Sequence, residues 1–289
     1  MGSINRTYAD VNSLRYNAMQ LQVQRRLSQG LQLGMAYTLA KGEGRRGWDP
    51  YTEQLGGEDA LRARYWAPTD VDRRHNLVVN YSYEVPNPFR GAVLRHVLGN
   101  WQVSGVTKFL SGIAVTPVCS SNNAGIANTD PSLSGLGTGA AVTAVRCMLV
   151  GDPNSGFERH SDPSQRVNFN LGAFAMAQPL SATQGNLGNT PLGILRNPSW
   201  SNWDITLAKR IPLNIGKNGQ IRLQFQAYNV FNQVQFTSIA TTPGTNGAGN
   251  TITMQFTGPN NSTLNSTTAG RYTQTTPPRQ LGLTMRLDF

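Results

Sequence analysis

The sequence predicts an all-β chain that forms an antiparallel transmembrane β-barrel segment, a partial barrel of about seven to nine strands with long extracellular loops. Three observations support this fold class. Several segments alternate between apolar and polar residues, and the gaps between them alternate between short and long. Charged residues make up only 14% of the 289 residues, whereas about 25% is usual in a soluble protein.

Seven segments carry the alternation, which places one face of each predicted strand against an apolar medium and the other against a polar one. These segments are residues 18–27, 31–40, 74–85, 100–110, 203–211, 220–231 and 279–289. The fourth is irregular, because Val106 and Leu110 fall on its polar side. Ser28, Gln29 and Gly30 predict a hairpin turn between the first two segments.

The long gaps run roughly over residues 41–72, 113–199 and 232–278, and the gaps between them are short. This rhythm is typical of a membrane barrel, in which tight turns face the periplasm and long loops face outward. The last strand then runs inward and places Phe289 in the aromatic girdle on the periplasmic side. Residues 114–118 and 251–256 provide an eighth and a ninth strand if they pair.

Composition and motifs argue against several other classes. The net charge is +10, but Lys and Arg are scattered rather than gathered into a nucleic-acid-binding patch. We expect no signal peptide in the chain as given, and no apolar run of about 18 residues is present for a transmembrane helix. Cys119 and Cys147 form either a disulfide within one loop, in an oxidising compartment, or two unrelated thiols.

No catalytic, metal or cofactor site is expected, and we interpret the chain as not being an enzyme. The three histidines lie outside any metal-binding motif; they are His75, His96 and His160. Asp70 and Asp72 offer carboxylate ligands for a cation, but the positive charges of the flanking Arg73 and Arg74 disfavour a cation there. A salt-bridged loop is the better interpretation of this stretch.

The segments 12–42, 68–86, 98–117, 197–213, 221–236 and 277–289 resemble barrel strands of one known family. They are similar to the C-terminal strands of TonB-dependent outer-membrane receptors of the Oar-like group. The most specific pieces are FQAYNVFN, from Phe225 to Asn232, and the end at Phe289. The resemblance implies that residues 1–289 are the C-terminal portion of such a receptor barrel, with no plug domain in this chain.

The resemblance also implies a function, which is binding and uptake of an unidentified ligand across the bacterial outer membrane. The implied partners are outer-membrane lipid and lipopolysaccharide, the remaining barrel and plug segments of the receptor, and indirectly the TonB system. The following side chains would line the path through the lumen or form structural polar pairs: Gln22, Gln24, Arg222, Gln224 and Arg286.

Three alternatives remain open at this point. In the first, the chain forms a non-transporting structural or adhesive surface barrel with residues 113–199 as the contact element. In the second, it forms a small closed barrel, which an odd strand count disfavours. In the third, it forms a soluble β-sandwich module, in which an opposite sheet would cover the apolar face of each strand.

Overall fold

The computed structural model describes residues 14–45, 66–69, 72–87, 91, 97–121, 144–156, 162, 166–176, 188–213, 219–239, 250–257, 263–264, 269–272 and 274–288. These residues form seventeen strands. In chain order the strands are β1 (Leu14–Ser28), β2 (Leu31–Arg45), β3 (Trp66–Pro68), β4 (His75–Glu84), β5 (Trp101–Leu110), β6 (Ala114–Ser121), β7 (Ala144–Arg146), β8 (Met148–Leu149), β9 (Phe174–Ala175), β10 (Leu195–Arg196), β11 (Trp200–Pro212), β12 (Gln220–Tyr228), β13 (Phe236–Ser238), β14 (Asn250–Thr257), β15 (Thr263–Leu264), β16 (Gln274–Thr275) and β17 (Gln280–Asp288). A 3₁₀ turn spans Leu171–Ala173. Within these ranges, no helix has the length and apolarity needed to cross a membrane.

Seven long strands form one antiparallel sheet, which we call the wall. Its strand order follows the chain, β1-β2-β4-β5-β11-β12-β17, and β3 extends it by pairing with the end of β2. The seven predicted strands are therefore confirmed, whereas β3 was not predicted. In the described part of the chain β1 pairs only with β2 and β17 only with β12. The wall is thus an open partial barrel rather than a small closed one.

One face of the wall is apolar and uncovered. Leu283 and Met285 on β17 are 68% and 72% exposed, and similar side chains continue this face across the sheet. Its other exposed members include Met19, Leu21, Val23, Tyr83, Phe109, Leu207, Phe225, Leu281 and Leu287. No second sheet covers them among the described strands, so the soluble sandwich interpretation is wrong. Water is a poor solvent for such a surface, and lipid is a good one.

The cross-strand register shows on which face the two irregular residues of β5 lie. Val106 pairs with Asn80 and Asp204, and Leu110 pairs with Asn76, so both apolar residues lie on the polar face as predicted. On the other face, Gly105 lies opposite Tyr81. A Cβ atom added to Gly105 would lie 2.6 Å from the Tyr81 Oη. The same Cβ would lie 2.5 Å from the Asp204 backbone carbonyl oxygen, so glycine is required here because both this backbone atom and the Tyr81 ring occupy the space of a side chain.

The predicted hairpin between β1 and β2 is present, but its turn has two residues rather than three, because Ser28 pairs with Leu31 at the end of β1. Gln29 and Gly30 both have positive φ, 52° and 78°, as a turn that matches the twist of the strands requires. The neighbouring strand fixes this turn, since the Glu84 N–H donates to the Gly30 carbonyl at 2.7 Å. A Cβ at Gly30 would lie 2.7 Å from the Glu84 carbonyl oxygen, so both sterics and conformation select glycine.

The FQAYNVFN motif contains the last residues of β12 and the turn that follows them. Asn229 has φ of 50°, and its side chain donates to the carbonyls of Gln233 and Pro277 at 3.0 and 3.1 Å. Its backbone N–H donates to Asp204 Oδ1 at 3.1 Å. Arg279 N–H donates to Asn232 Oδ1 at 3.0 Å. The two asparagines thereby join β11, β12 and the entry to β17.

The ten short strands all belong to the three long connections and therefore to one end of the wall. Nine of them, β6–β10 and β13–β16, form a separate folded unit that we call the cap. In it β6 pairs in parallel with β14, and antiparallel with β7 and β10. The predicted segments 114–118 and 251–256 do pair, but with each other in the cap. They therefore add strands to the chain but do not extend the wall.

The buried hydrophobic core lies in the cap rather than in the wall. Its fully buried members include Val115 on β6 and Ile252 and Met254 on β14, each 0% exposed. The rings of Phe169 and Phe174 pack edge to face with centroids 5.7 Å apart. The long connections are thus not simple loops, because they bury their own apolar residues away from water.

Cys119 and Cys147 form a disulfide, with Cα atoms 5.1 Å apart and a sequence separation of 28. Of the two alternatives left open by the sequence, the disulfide is the one observed. Both cysteines are fully buried in the cap core. In the chain-entropy description, a cross-link over this span stabilises the folded unit by roughly 3.5 kcal/mol.

Some predicted residues lie outside the described part of the chain. They are Asp70, His96, His160 and Phe289. The expected position of Phe289 in the periplasmic girdle therefore stays a prediction.

We expect an arginine to be tolerated on one face of the wall and not on the other. Phe225→Arg places a charge on the apolar face of β12 and should destabilise the protein in phospholipid vesicles by about 2–4 kcal/mol. Gln226→Arg, one residue further along, places the same charge on the polar face and should cost less than about 1 kcal/mol. Denaturant titration of both variants checks this, and equal losses would contradict the assignment of the faces.

We also expect the disulfide to act on the cap alone. The double variant Cys119→Ser, Cys147→Ser should lose roughly 3.5 kcal/mol of cap stability. Hydrogen exchange should accelerate in β6 and β14 but stay unchanged in β12 of the wall. Acceleration of equal size in β12 would show instead that cap and wall unfold as one unit.

Candidate functional site

The polar face of the wall carries all five side chains that the sequence predicted to line the lumen or to form structural polar pairs: Gln22, Gln24, Arg222, Gln224 and Arg286. The structure does not bring them together as one site. Gln22 and Gln24 lie on the edge strand β1, opposite Ala36 and Gly34 of β2. The other three lie at the far edge, on β12 and β17.

Three arginines stand side by side near the short-turn end of this face. Arg222 lies directly opposite Arg210 of β11 on one side and Arg286 of β17 on the other. We call this set the arginine row. The prediction included Arg222 and Arg286 but missed Arg210 as their neighbour, because only the strand register places it there.

The two outer arginines of the row have partners. Arg210 Nη2 lies 3.3 Å from Glu84 Oε1 and donates to Gln102 Oε1 at 2.9 Å. Arg286 Nε donates to Asp288 Oδ1 at 2.6 Å. The central Arg222 differs, because its Nε is buried and has no hydrogen-bond partner in the described part of the molecule.

A cavity of about 290 Å³ lies at the other end of the wall, beside the first two strands. We call it the junction pocket. It is lined by Leu14, Tyr16, Thr38, Ala40, Gly42, Thr69, Asp72, Arg73 and Asn76. The strand residues among these have even numbers and belong to the polar face. Asn76 Oδ1 is buried without a partner within the described residues, so it offers an acceptor to a bound molecule.

Asp72 holds the floor of this pocket to the cap. Its side chain is 1% exposed, and its Oδ2 lies 2.6 Å from Arg196 Nη2. Its Oδ1 accepts the Gly42 N–H at 2.7 Å. Arg196 also donates to the carbonyls of Asp72 and Gly112 at 3.2 and 3.3 Å. The salt-bridged interpretation of Asp72 is confirmed, with Arg196 rather than a flanking arginine as the partner.

Other hydrogen bonds lie within the cap, between cap and wall, and between the ends of two wall strands. Asn197 Oδ1 accepts the Ile239 N–H at 2.9 Å within the cap. Gln235 Oε1 accepts the Ser201 N–H of β11 at 2.6 Å, and its Nε2 donates to the Ser201 carbonyl. The Arg73 guanidinium donates to the Ser111 carbonyl at 2.7 Å, and partial burial lowers its pKa from the ordinary value. The Gln235–Ser201 bonds thus add to the Asp72–Arg196 pair in joining the cap to its end of the wall.

His75 is not arranged as a metal ligand. Its Nδ1 lies 2.8 Å from the Tyr37 hydroxyl, and the two rings are stacked. Across the described ranges, no group of three His, Cys, Asp or Glu side chains could hold a metal ion.

An apolar crevice of about 520 Å³ runs along the rim of the apolar face at the cap end. Tyr37, Leu77 and Phe109 contribute to its lining, and His75 and Ser111 add polar groups. Nearby, Trp203 packs edge to face against Phe109 and Phe231, with centroids 5.7 Å apart in each pair. Aromatic side chains at this level of the sheet are typical of the girdle at a membrane interface.

We expect the Asp72–Arg196 pair to respond unequally to removal of its partners. Arg196→Met leaves a buried carboxylate unpaired and should cost about 3–5 kcal/mol. Asp72→Asn removes the charge while keeping an acceptor for Gly42, and should cost less. Hydrogen exchange at residues 195–197 measures the effect, with exposed Arg74→Met as the matched control. A larger loss for Asp72→Asn than for Arg196→Met would contradict this account.

Comparison with known proteins gives one match. The family described as "outer membrane beta barrel domain" matches residues 1–281. No curated protein and no solved structure matches the chain. A barrel of the outer membrane accounts for the open sheet, its apolar face and its aromatic rim. The family match places the wall in the bacterial outer membrane. The chain belongs to the outer membrane beta barrel domain family.

Proposed function

We propose that the chain is the barrel part of a TonB-dependent receptor of the Oar-like kind, and that it binds and takes up a ligand without catalysing a reaction. The observation that carries this proposal is the junction pocket. It combines a polar wall, a fixed cap and an unpartnered acceptor, Asn76 Oδ1, at the end where long connections face outward. A ligand captured there would meet the polar face as its next surface.

The open edges of the wall support the proposal that further strands complete the barrel. β1 is exposed along all fifteen of its residues, and β17 has a single strand neighbour among the described ones. Unpaired backbone groups are not tolerated in hydrocarbon, so both edges need partners in the bilayer. The remaining barrel and plug segments of a receptor would supply them, and the TonB system would act through the plug.

Lipid and lipopolysaccharide are the partners proposed for the outer surface. The crevice at the rim of the apolar face has an apolar lining of Leu77 and Phe109 below the polar groups of His75 and Ser111. Arg73 approaches Ser111, and the neighbouring Arg74 is exposed. An acyl chain below a negatively charged headgroup matches this arrangement of apolar and basic groups.

A structural or adhesive role is the second candidate, and the cap favours it. A unit with its own core and a disulfide offers a rigid outward surface. In this case the contact surface would lie in residues 113–199, and transport would play no part.

We expect uptake to depend on both this gene and TonB. A defined medium is analysed by mass spectrometry after growth of the wild type, of a strain lacking this gene and of a strain lacking TonB. At least one solute should be depleted by the wild type and retained by both deletions. Complementation with Asn76→Leu should restore the protein to the membrane but not the depletion, because the acceptor in the pocket is lost.

The matched control is Asn80→Leu, which alters the same face of β4 away from the pocket. Complementation with this variant should restore depletion. Identical depletion by all three strains, together with loss of surface attachment in the gene deletion, would support the adhesive candidate and contradict uptake.

A further inference from the structure

We propose that the arginine row is a binding site for a small, multiply charged anion whose acidic groups are carboxylates or phosphates. The site lies near the short-turn end of the polar face, whereas the junction pocket lies at the cap end. Binding there needs neither TonB nor the cap, so the inference goes beyond the proposed function.

The strand register places three like charges next to one another. Arg210, Arg222 and Arg286 occupy directly opposed positions on three adjacent strands. Adjacent strands are about 4.8 Å apart, so the row spans about 10 Å. Like charges placed directly opposite each other destabilise a sheet. An arrangement that stacks three of them is therefore unfavourable unless something else compensates for the charge.

Nearby carboxylates compensate for part of the charge of the row. Two carboxylates contact the row, Glu84 at Arg210 and Asp288 at Arg286. Asp288 Oδ2 also accepts from Gln220 Nε2 at 3.2 Å, so its charge is shared. Among the described residues, three guanidinium groups thus meet two carboxylates, and neither carboxylate forms an ion pair with Arg222. Its buried, unpartnered Nε makes it the position where compensation is missing.

The guanidinium groups of the row determine which class of anion would bind there. A guanidinium is a planar fork of donors that matches a carboxylate or a phosphate with two parallel hydrogen bonds. The side chains of Arg210 and Arg286 are 42% and 71% exposed, so they can still reach a molecule in the lumen. An anion with two or three acidic groups about 5 Å apart would contact neighbouring members of the row. A singly charged anion would contact only one.

The test uses the purified full chain in detergent micelles and calorimetric titration with two metal-free probes. Inorganic tripolyphosphate represents the phosphate source, and tricarballylate represents the carboxylate source. Inorganic monophosphate, which carries a single acidic group, is the control. The variants are Arg222→Gln, Arg210→Gln and Arg286→Gln, with Arg279→Gln as the matched control because it removes the same charge at the opposite end of β17.

At least one multiply charged probe should bind at least tenfold more tightly than monophosphate, and the stronger of the two identifies the acidic group. Each substitution in the row should weaken that binding about tenfold, whereas Arg279→Gln should leave it unchanged. Arg222→Gln should also raise the denaturation midpoint of the anion-free protein at low salt, since it relieves repulsion within the row.

Equal affinity in Arg222→Gln and the parent chain would overturn the proposal. So would an equal loss in Arg279→Gln, because net charge rather than a site would then explain binding. A lower denaturation midpoint of anion-free Arg222→Gln would overturn it as well, since the row would then be a structural element. The midpoint is measured without any ligand, so these outcomes are independent of uptake.

Discussion

The whole structure depends on the contact between hydrocarbon and one face of a single sheet. A backbone that crosses a bilayer must satisfy its N–H and C=O groups internally, which a sheet does between its strands. The side chains then separate by parity, since Leu281, Leu283 and Met285 point to lipid and Gly282 and Thr284 to the other side. The wall consequently needs no buried core, and the described residues provide none in it.

The cap follows a different physical rule. It is exposed to water, so it buries Val115, Ile252 and Met254 in an ordinary core. Its strands are held by a parallel pairing between β6 and β14 and by a disulfide, both of which close long stretches of chain. The same protein thus combines a sheet whose apolar side chains are stabilised by contact with lipid and a small unit whose apolar side chains are stabilised by exclusion from water. Asp72 and Arg196 join the two where the junction pocket forms.

The wall could be predicted from the sequence because lipid imposes a period of two on every crossing strand. Even the exceptions, Val106 and Leu110, fell where the pattern placed them. The cap could not be predicted in the same way, since its contacts join residues far apart in the chain. Asp72 and Arg196, for example, are 124 residues apart, and no local spacing marks them as partners. The arginine row was predictable only in part. The alternating pattern predicts that its three side chains lie on the polar face, but only the strand register shows that they are neighbours.

The most direct measurement is the accessibility of nitroxide spin labels placed one at a time along residues 281–286 of β17 in phospholipid vesicles. Odd-numbered positions should collide readily with oxygen, which concentrates in hydrocarbon. Even-numbered positions should collide readily with a water-soluble nickel complex. The account predicts a strict alternation between the two quenchers along the strand. Uniform access of the nickel complex to all six positions would contradict it.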